Sequence, residues 1–420
     1  MELLLQGVEV CDKRSPFHGQ KKNILIKDGI IEKITEESID AERIIDCQDL
    51  ILSIGWFDMR ASFGDPGLEF KEDLKSGRKV AAMGGFTEVA ILPNTIPVIQ
   101  SKNDLSYIKA LNPYSLTQLH PIAAVTINSE GKELTEMIDL HQSGAIAFSD
   151  GEKTLWNTDI VLKTLQYLQK FDGLLMNRPE DRLLTQFGTM NEGINSTLLG
   201  LKGMPRLAEE IAINRDLQLL EYAGGKIHFS NISSAHSVEL IRRAKAKGLE
   251  VSCDVAAYQL IFDDSSLTSF DTNFKVNPPL REKLDIEALK QGLLDGTIDA
   301  IVSNHMPQDQ ESKKLEYDLA EFGMIGLQTV LPLLIQSGLE LEMLIEKISL
   351  APRKLLQLNQ PEVKEGEQAN LTLFAPNAEW EYNEKNNASL SSNSPLLGQR
   401  LTGKAVGVFN NHKVELLIED

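Results

Sequence analysis

The chain has 420 residues, 42% hydrophobic and 25% charged, a composition typical of a soluble globular protein with a large core. Its 61 acidic and 42 basic residues give a net charge of −19, which argues against nucleic acid or an anionic membrane as the main partner. There is no apolar run of about 18 residues and no signal-peptide pattern, so we expect a cytoplasmic protein. Three widely spaced cysteines support neither a disulfide framework nor a zinc ribbon.

Both ends of the chain read as short β-strands. In the first 52 residues, the alternation in "NILIKDGIIEKI" around Asp28-Gly29 predicts a hairpin. Strand patterns return after about residue 357, in "ANLTLFAP" and "GKAVGVFNN". We therefore expect one small β-sandwich domain built from residues 1–52 and 357–420.

Apolar strands alternate with amphipathic helical segments between residues 53 and 356. Examples are "FTEVAILPNT" before "SKNDLSYIKALN", and "KIHFSN" before "SAHSVELIRRAKAKG". This alternation implies parallel strands joined by crossover helices. Close to eight such units favour an α/β fold of the closed (β/α)8, or TIM-barrel, type over an open sheet.

The functional site of such a barrel lies at the carboxyl ends of its strands. His228, within the strand "KIHFS", is interpreted as a core histidine. The residues that directly follow the predicted strands are polar, but only one of them is a histidine. The strand-end residues are Asp58, Arg60, Ser62, Asn94, Asp150, Asn177, Arg178, Ser230, Asn231, Asp254, Asn304 and His305.

Several collinear segments carry a resemblance to a known family. They include "DPGLEFKEDLKSGRKVAAMGGFTEVAILPNT", "GAIAFSDG", "KVNPPLR" and "ALKQGLLDGTIDAIVSNHMP". In these segments the chain resembles the dihydroorotases of the amidohydrolase superfamily, of the multifunctional-complex type. The resemblance implies hydrolysis of a cyclic amide in pyrimidine biosynthesis, with zinc activating a water.

Most of the family's site positions carry a different type of residue here. The resemblance places four types of family residue here: the metal-ligand histidines, a carboxylate-gripping arginine, the catalytic aspartate and the histidine of the "DHAPH" run. Their positions are Arg60, Ser62, Gly64, Arg178, Asn231, Asn304 and Gln308. Asp150 matches the bridging acidic ligand. Asn94 and Asn277 match asparagines that contact substrate, and His305 is also kept, so these three are substrate-binding candidates.

These replacements argue against metal binding and against metal-assisted hydrolysis. A guanidinium group is permanently cationic and cannot coordinate a metal, and an amide such as that of Asn304 is no general base. We therefore expect no metal, with Asp150 the one ligand retained. An unpaired buried carboxylate is costly, so we also predict that Arg60 or Arg178 pairs with Asp150.

The expected function is that of a catalytically inactive dihydroorotase homologue with a structural or regulatory role. The resemblance implies aspartate transcarbamoylase or an active dihydroorotase as partner, and we expect a homodimer. Two alternatives stay open. One is an active hydrolase that converts dihydroorotate to N-carbamoyl-L-aspartate with an altered zinc site; the other is a small-anion binding protein that uses Arg60, Arg178, Asn94 and Asn277.

Overall fold

The computed structural model describes residues 2–417. Its strands are β1 (Glu2–Cys11), β2 (Lys21–Lys27), β3 (Ile30–Thr35), β4 (Arg43–Asp46), β5 (Ile51–Ile54), β6 (Trp56–Ala61), β7 (Phe86–Ile91), β8 (Gln118–Pro121), β9 (Leu175–Asn177), β10 (Met190–Asn191), β11 (Gly203–Met204), β12 (Ile227–Phe229), β13 (Val251–Ala256), β14 (Ala300–Val302), β15 (Leu371–Tyr382), β16 (Gln399–Asn410) and β17 (Lys413–Leu416).

The α-helices fall mainly between the strands of the central region. They are α1 (Leu74–Met83), α2 (Lys102–Lys109), α3 (Met137–Gln142), α4 (Thr158–Leu168), α5 (Arg182–Thr185), α6 (Ile194–Leu199), α7 (Arg206–Ala223), α8 (Ala235–Ala246), α9 (Lys283–Leu294), α10 (Gln310–Lys313), α11 (Val330–Gln336), α12 (Leu341–Ile348) and α13 (Leu350–Leu355).

Parallel strands of the central region close into a barrel. β6, β7 and β8 form one run of paired strands, and β9, β12, β13 and β14 form another. Parallel bridges from Ala123 to Phe148 and from Phe148 to Leu175 join the two runs on one side. A bridge between Ala61 and His305 joins them on the other side, which confirms the predicted (β/α)8 architecture.

Strands from both ends of the chain pair in one sheet beneath the barrel. The order is β17-β16-β15-β5-β1-β2-β3, with β4 added beside β1. β2 and β3 form the predicted hairpin, in which Lys27 is opposite Ile30. A separate apolar core that includes Leu3, Ile24 and Leu371 fills this small β domain. The fold class predicted from the sequence is confirmed.

Local sequence signals explain where the barrel helices begin. Asp73 caps α1 by accepting a hydrogen bond from the Ser76 amide, and the Asp73 amide donates in turn to the Ser76 hydroxyl. Ser234 caps α8 by accepting from the Ser237 amide. These caps set the point at which each strand-end loop turns into a helix, and so fix the loops that surround the site. Within residues 2–417, no helix has the length and apolar character needed to cross a membrane.

Candidate functional site

Arg60 lies near the carboxyl end of β6 and points into the mouth of the barrel. Its side chain is fully buried, at 0% exposure. Nε donates to Asn304 Oδ1 at 3.0 Å, and Nη2 forms an ion pair with Glu152 Oε1 at 2.7 Å. Nη1 has no hydrogen-bond partner. A buried guanidinium group therefore fills the strand end at which the site was predicted.

Arg178 follows β9 and approaches Glu152 from the other side. Its Nε and Nη2 donate to the Glu152 backbone carbonyl at 3.0 and 2.6 Å, and its Nη1 pairs with Glu180 Oε2. Burial acts to raise the pKa of Glu180, but Arg178 and two further hydrogen bonds outweigh it, so this pKa is lowered. We call Arg60, Glu152, Arg178 and Glu180 the charged plug, because two cations and two anions fill the mouth with no net charge.

Asp150 is buried without an arginine partner, so the predicted Arg–Asp150 pair is wrong. Its carboxylate accepts from the Thr126 amide at 2.9 Å and from the Thr126 hydroxyl. Burial raises the pKa of Asp150 to about 6, and the hydrogen bonds from Thr126 offset part of this rise. The two arginines instead pair with Glu152 and Glu180, whose longer side chains reach the barrel axis.

Asn94 and Asn277 support the charged plug. Asn94 Nδ2 donates to the Asp150 carbonyl at 3.1 Å, and its Oδ1 accepts from the Glu152 amide at 2.8 Å. Asn277 Nδ2 donates to Glu180 Oε2 at 3.1 Å, while its Oδ1 has no partner. These two of the three substrate-binding candidates thus lie at the site, where they contact the loops that carry Glu152 and Glu180.

Asn231 and Asn304 lie two residues beyond β12 and β14 and have left-handed backbone conformations, with φ of 64° and 44°. Asparagine tolerates this region better than most residues. Asn304 Nδ2 donates to the Tyr258 hydroxyl at 2.7 Å, and burial raises the pKa of that hydroxyl to about 12. The Asn231 side chain is buried without a hydrogen bond of good geometry.

Ser62, Gly64 and Gln308 form the rim of the mouth. Lys71 Nζ donates to Gln308 Oε1 at 2.7 Å, and the Ser62 amide donates to the His305 carbonyl at 2.8 Å. A Cβ atom added to Gly64 would lie 2.0 Å from the Leu68 carbonyl oxygen. The chain path therefore leaves no room at position 64 for the arginine that the family resemblance implies.

The two histidines considered from the sequence, His228 and His305, both lie against acidic side chains. His305 Nδ1 accepts from the Gly326 amide at 3.2 Å, and its Nε2 lies 3.4 Å from Glu72 Oε2 without a hydrogen bond. His228 is bonded to Ser252 and Asp254, both at 2.8 Å, which confirms it as a core residue.

Little open volume is left around the plug. A cavity of about 150 Å³ remains between Ser62, Asn94, Glu152 and Gln308. A second cavity, of about 10 Å³, lies beside Asn231 and Asn277 and suits one water molecule. Both are smaller than the 300 Å³ or more that is typical of ligand pockets.

Sequence reasoning missed Glu152, Glu180, Tyr258 and Glu72. Glu152 and Glu180 each lie two residues beyond a strand-end residue that was identified, Asp150 and Arg178. Arg60 and Arg178 place two cations in one buried site, and buried cations require anions as partners. That requirement was the signal by which Glu152 and Glu180 could have been found.

The barrel, the terminal β domain and the strand-end site define a protein of the cyclic-amidohydrolase fold. The L-hydantoinase (dihydropyrimidinase) of Arthrobacter aurescens superposes with a TM-score of 0.83 at 21% identity, over 99% of this chain and 97% of that structure. A D-hydantoinase superposes with a TM-score of 0.81 at 20% identity.

Sequence comparison then gives the family. A family model described as dihydro-orotase-like matches residues 50–237. The dihydroorotase of Geobacter sp. (strain M21) is 39% identical over 415 residues, which is 97% of each chain. The dihydroorotase of Acetivibrio thermocellus is 38% identical over 98% of each chain. The chain belongs to the dihydroorotase family.

Proposed function

We propose that this chain is a dihydroorotase homologue that has lost hydrolysis and acts as a structural or regulatory protein in pyrimidine biosynthesis. The observation that carries the proposal is the buried Arg60–Glu152 ion pair, 2.7 Å long, at the end of β6. The family resemblance implies an imidazole metal ligand at the position that Arg60 occupies. A cation fixed by its own counter-ion has replaced it.

The residues at the implied ligand positions do not fit zinc. Zinc in proteins takes thiolate, imidazole or carboxylate donors, normally three or four of them. Here the positions carry two guanidinium groups, a hydroxyl, two carboxamides and the carboxylate of Asp150. Within residues 2–417, no group of three or more His, Cys, Asp and Glu side chains is placed to hold a metal ion.

The residues present also offer no other route to hydrolysis. Asn304 cannot take up a proton at neutral pH, and its amide is engaged by Arg60 and by Tyr258. The one retained histidine of the site, His305, lies against Glu72. Among the described residues, the carboxylates of Glu152 and Glu180 at the mouth are held in ion pairs with Arg60 and Arg178, which supports the loss of catalysis.

The implied partner is aspartate transcarbamoylase or an active dihydroorotase. This part of the proposal rests on the family resemblance, in which inactive homologues assemble with the transcarbamoylase. The charged plug fits such a role, because it keeps the barrel mouth filled and neutral without a metal. A scaffold needs a stable shape rather than an open site.

The proposal predicts no conversion between dihydroorotate and N-carbamoyl-L-aspartate, with or without added zinc. The dihydroorotase of Geobacter sp. (strain M21), assayed in parallel, is the positive control. Co-purification with aspartate transcarbamoylase from the same organism, and a change in that enzyme's stability or activity, would support the scaffold role. Turnover that depends on zinc and disappears with a chelator would overturn the proposal and favour the altered-site hydrolase.

The small-anion alternative finds less support in the geometry. Arg60 and Arg178 are already paired with Glu152 and Glu180, so neither offers an uncompensated charge to a ligand. Thermal-shift measurements with N-carbamoyl-L-aspartate and dihydroorotate test this alternative, because a ligand that binds only the folded state raises the melting temperature.

A further inference from the structure

A polar cavity of about 260 Å³ opens next to the barrel mouth. Its walls come from three segments of the chain, residues 272–273, 308–314 and 384–393, and Gln308 also lines the smaller cavity of the mouth. The volume is close to the lower end of the range for ligand pockets. We call this space the lysine cavity, because Lys313 and Lys314 both line it.

Lys313 is a buried cation in the wall of the lysine cavity, with 6% of its surface exposed. Its ammonium group donates to the backbone carbonyls of Glu321 and Gly323, at 2.8 and 3.2 Å. A lysine has three donors, and these two uncharged acceptors engage two of them. Burial, followed by the neighbouring Lys275, lowers the pKa of Lys313 to about 8, so its surroundings do not fully compensate the charge. A bound anion would supply the missing counter-charge.

Lys275 is a second buried cation close to Lys313. It is 2% exposed, and it donates to three backbone carbonyls of residues 317–320, at distances between 2.6 and 3.1 Å. Asp271 and Glu321 act to raise the pKa of Lys313, but burial and Lys275 outweigh them. Backbone dipoles therefore hold the two lysines, and the nearby carboxylates neutralise them only in part.

Neutral donors lie beside the lysines of the cavity. Lys314 Nζ donates to Gln310 Oε1 at 3.1 Å, which leaves the Gln310 amide nitrogen as a donor. Asn273 also lines the cavity, and a hydrogen bond of 2.9 Å fixes its backbone amide. Among the described lining residues, the one carboxylate is that of the exposed Glu384. The lining thus offers several donors and two cations against a single anion.

The kinds of donor indicate what the cavity would bind. No arginine is among the described lining residues, so the planar fork that suits a carboxylate is absent. Lysine is a usual phosphate ligand, and ammonium and amide donors suit a tetrahedral oxyanion that accepts from several directions. The volume of about 260 Å³ leaves room for further atoms beyond a phosphoryl group.

We propose that the lysine cavity binds the phosphoryl group of a small phosphorylated metabolite, with Lys313, Lys314 and Asn273 as donors. The site lies outside the charged plug, so it does not depend on whether the barrel hydrolyses a cyclic amide. It would let a homologue without catalysis respond to a metabolite.

Isothermal titration calorimetry of the full chain tests the proposal, with inorganic phosphate and glycerol 3-phosphate as probes. Each is titrated at constant ionic strength, and acetate is the carboxylate control. We expect saturable binding of both phosphates with a Kd of about 1 mM or below, and binding of acetate at least about 10-fold weaker. Tighter binding of glycerol 3-phosphate than of inorganic phosphate would support a phosphate ester as the ligand. The reverse order would overturn the assignment to a metabolite.

Two variants locate the binding site. Lys313→Met removes the buried ammonium group, and Asn273→Asp adds a carboxylate of the same size; each should weaken phosphate binding at least about 10-fold. Asn273→Asp keeps Lys313 and its hydrogen bonds, so it tests the site even if Lys313→Met is unstable.

Each variant has a matched control. Lys347→Met removes another ammonium group that donates to a backbone carbonyl, that of Ile298 at 2.6 Å. Asn359→Asp adds a carboxylate at an exposed residue outside the cavity. Neither control should change the Kd by more than about two-fold.

The pH dependence is a readout that a purely structural Lys313 would not produce. Sulfate, which stays a dianion in this range, should bind roughly 10-fold more weakly at pH 9 than at pH 7, because Lys313 loses its proton around pH 8. The other charged groups near Lys313 or in the lining are Lys275, Asp271, Glu321, Lys314 and Glu384. Their carboxylates stay ionised over this range, and Lys313→Met should abolish the pH dependence.

Three results would overturn the proposal. One is the absence of saturable phosphate binding. Another is acetate binding as tight as phosphate binding. The third is equal phosphate binding by Asn273→Asp and Asn359→Asp, since the ligand would then lie elsewhere.

Discussion

Arg60 Nη2 lies 2.7 Å from Glu152 Oε1, and the arginine side chain is completely buried in the barrel mouth. A buried guanidinium group is tolerated only with a counter-charge, and Glu152 provides it. The pair thus explains how the barrel keeps its shape with a cation buried in its mouth.

Removing the counter-charge should destabilise the whole domain. The variant Glu152→Gln leaves Arg60 buried without an anion, and we expect its free energy of unfolding to fall by about 2–4 kcal/mol. Urea denaturation at neutral pH measures the loss. The control Glu130→Gln breaks an exposed pair with Lys132 and should leave the urea midpoint close to that of the wild type.

The double variant R60M/E152Q sharpens this test. It removes the buried cation as well, so it should be more stable than Glu152→Gln alone. If Glu152→Gln unfolds at the same urea concentration as the Glu130→Gln control, the ion pair does not hold the mouth together.

The loop after β6 should not accept the arginine that the family resemblance implies. In Gly64→Arg, the new Cβ atom would lie 2.0 Å from the Leu68 carbonyl oxygen, a backbone atom that cannot move alone. We expect a loss of about 2 kcal/mol in the free energy of unfolding. Gly407→Ala is the control, because its nearest neighbour is a Leu416 side-chain atom at 3.2 Å. Equal stability of Gly64→Arg and wild type would show that the loop can open.

Asp58 should make stability depend on pH. Burial raises its pKa to about 7, although hydrogen bonds from Ser303 and from the Arg60 amide oppose the rise. The folded chain therefore holds a proton that the unfolded chain releases near pH 4, so this residue's contribution to stability falls as the pH rises from about 4 to 7. In the Asp58→Asn variant, which has no titrating carboxyl group at this position, this pH-dependent loss of stability is absent.

Unfolding free energies at pH 5, 6, 7 and 8 test this expectation. The difference between Asp58→Asn and wild type should shift in favour of the variant by roughly 1 kcal/mol per pH unit between pH 5 and 7, and then level off. Parallel curves for the two proteins across this range would contradict the assignment.

The base of the barrel depends on a second buried ion pair. Arg353 of α13 donates to Glu88 Oε1 on β7 at 2.7 Å, and Asn370, just before β15, donates to the same oxygen at 2.9 Å. Burial acts to raise the pKa of Glu88, but Arg353 and His120 outweigh it and lower that pKa. The contribution of Glu88 to stability is therefore present at neutral pH and is lost as the pH falls below its usual pKa of about 4.3.

Arg353→Leu should cost about 3–5 kcal/mol at pH 7, because it leaves the buried Glu88 carboxylate without its main cation. The cost should shrink in acid, because in the variant the buried Glu88 has lost the cation that lowers its pKa and can take up a proton. Arg242→Leu removes an arginine that is 38% exposed and should have a small effect at either pH. A cost that is the same at pH 4 and pH 7 would argue for lost packing rather than lost charge.

The sequence predicted the fold well because its signals are local and repeated. Strand–helix alternation indicated the barrel, and the Asp28-Gly29 turn fixed the hairpin between β2 and β3. The strand-end rule then identified Arg60, Asp150, Arg178 and Asn304 as residues of one site, and the structure brings Arg60 and Asn304 into direct contact.

Which acidic residue pairs with each arginine could not be predicted from the sequence in the same way. Asp150 was the retained acid and so the obvious partner for an arginine, yet Thr126 already satisfies its carboxylate. Glu152 reaches Arg60 because the chain turns after Asp150 and Asn94 holds the Glu152 amide in place. Such pairing depends on the path of a loop and on side-chain length. The hydrophobic periodicity that predicts strands and helices carries no information about either.

Zinc content tests the central claim most directly. The chain should be expressed with added zinc, freed of loosely bound metal by gel filtration, and analysed by elemental mass spectrometry. A barrel mouth closed by Arg60 and Glu152 predicts less than about 0.1 zinc per chain, because the positions lack a donor set for the ion. Zinc at about one or two per chain, together with dihydroorotate hydrolysis that a chelator abolishes, would contradict the account.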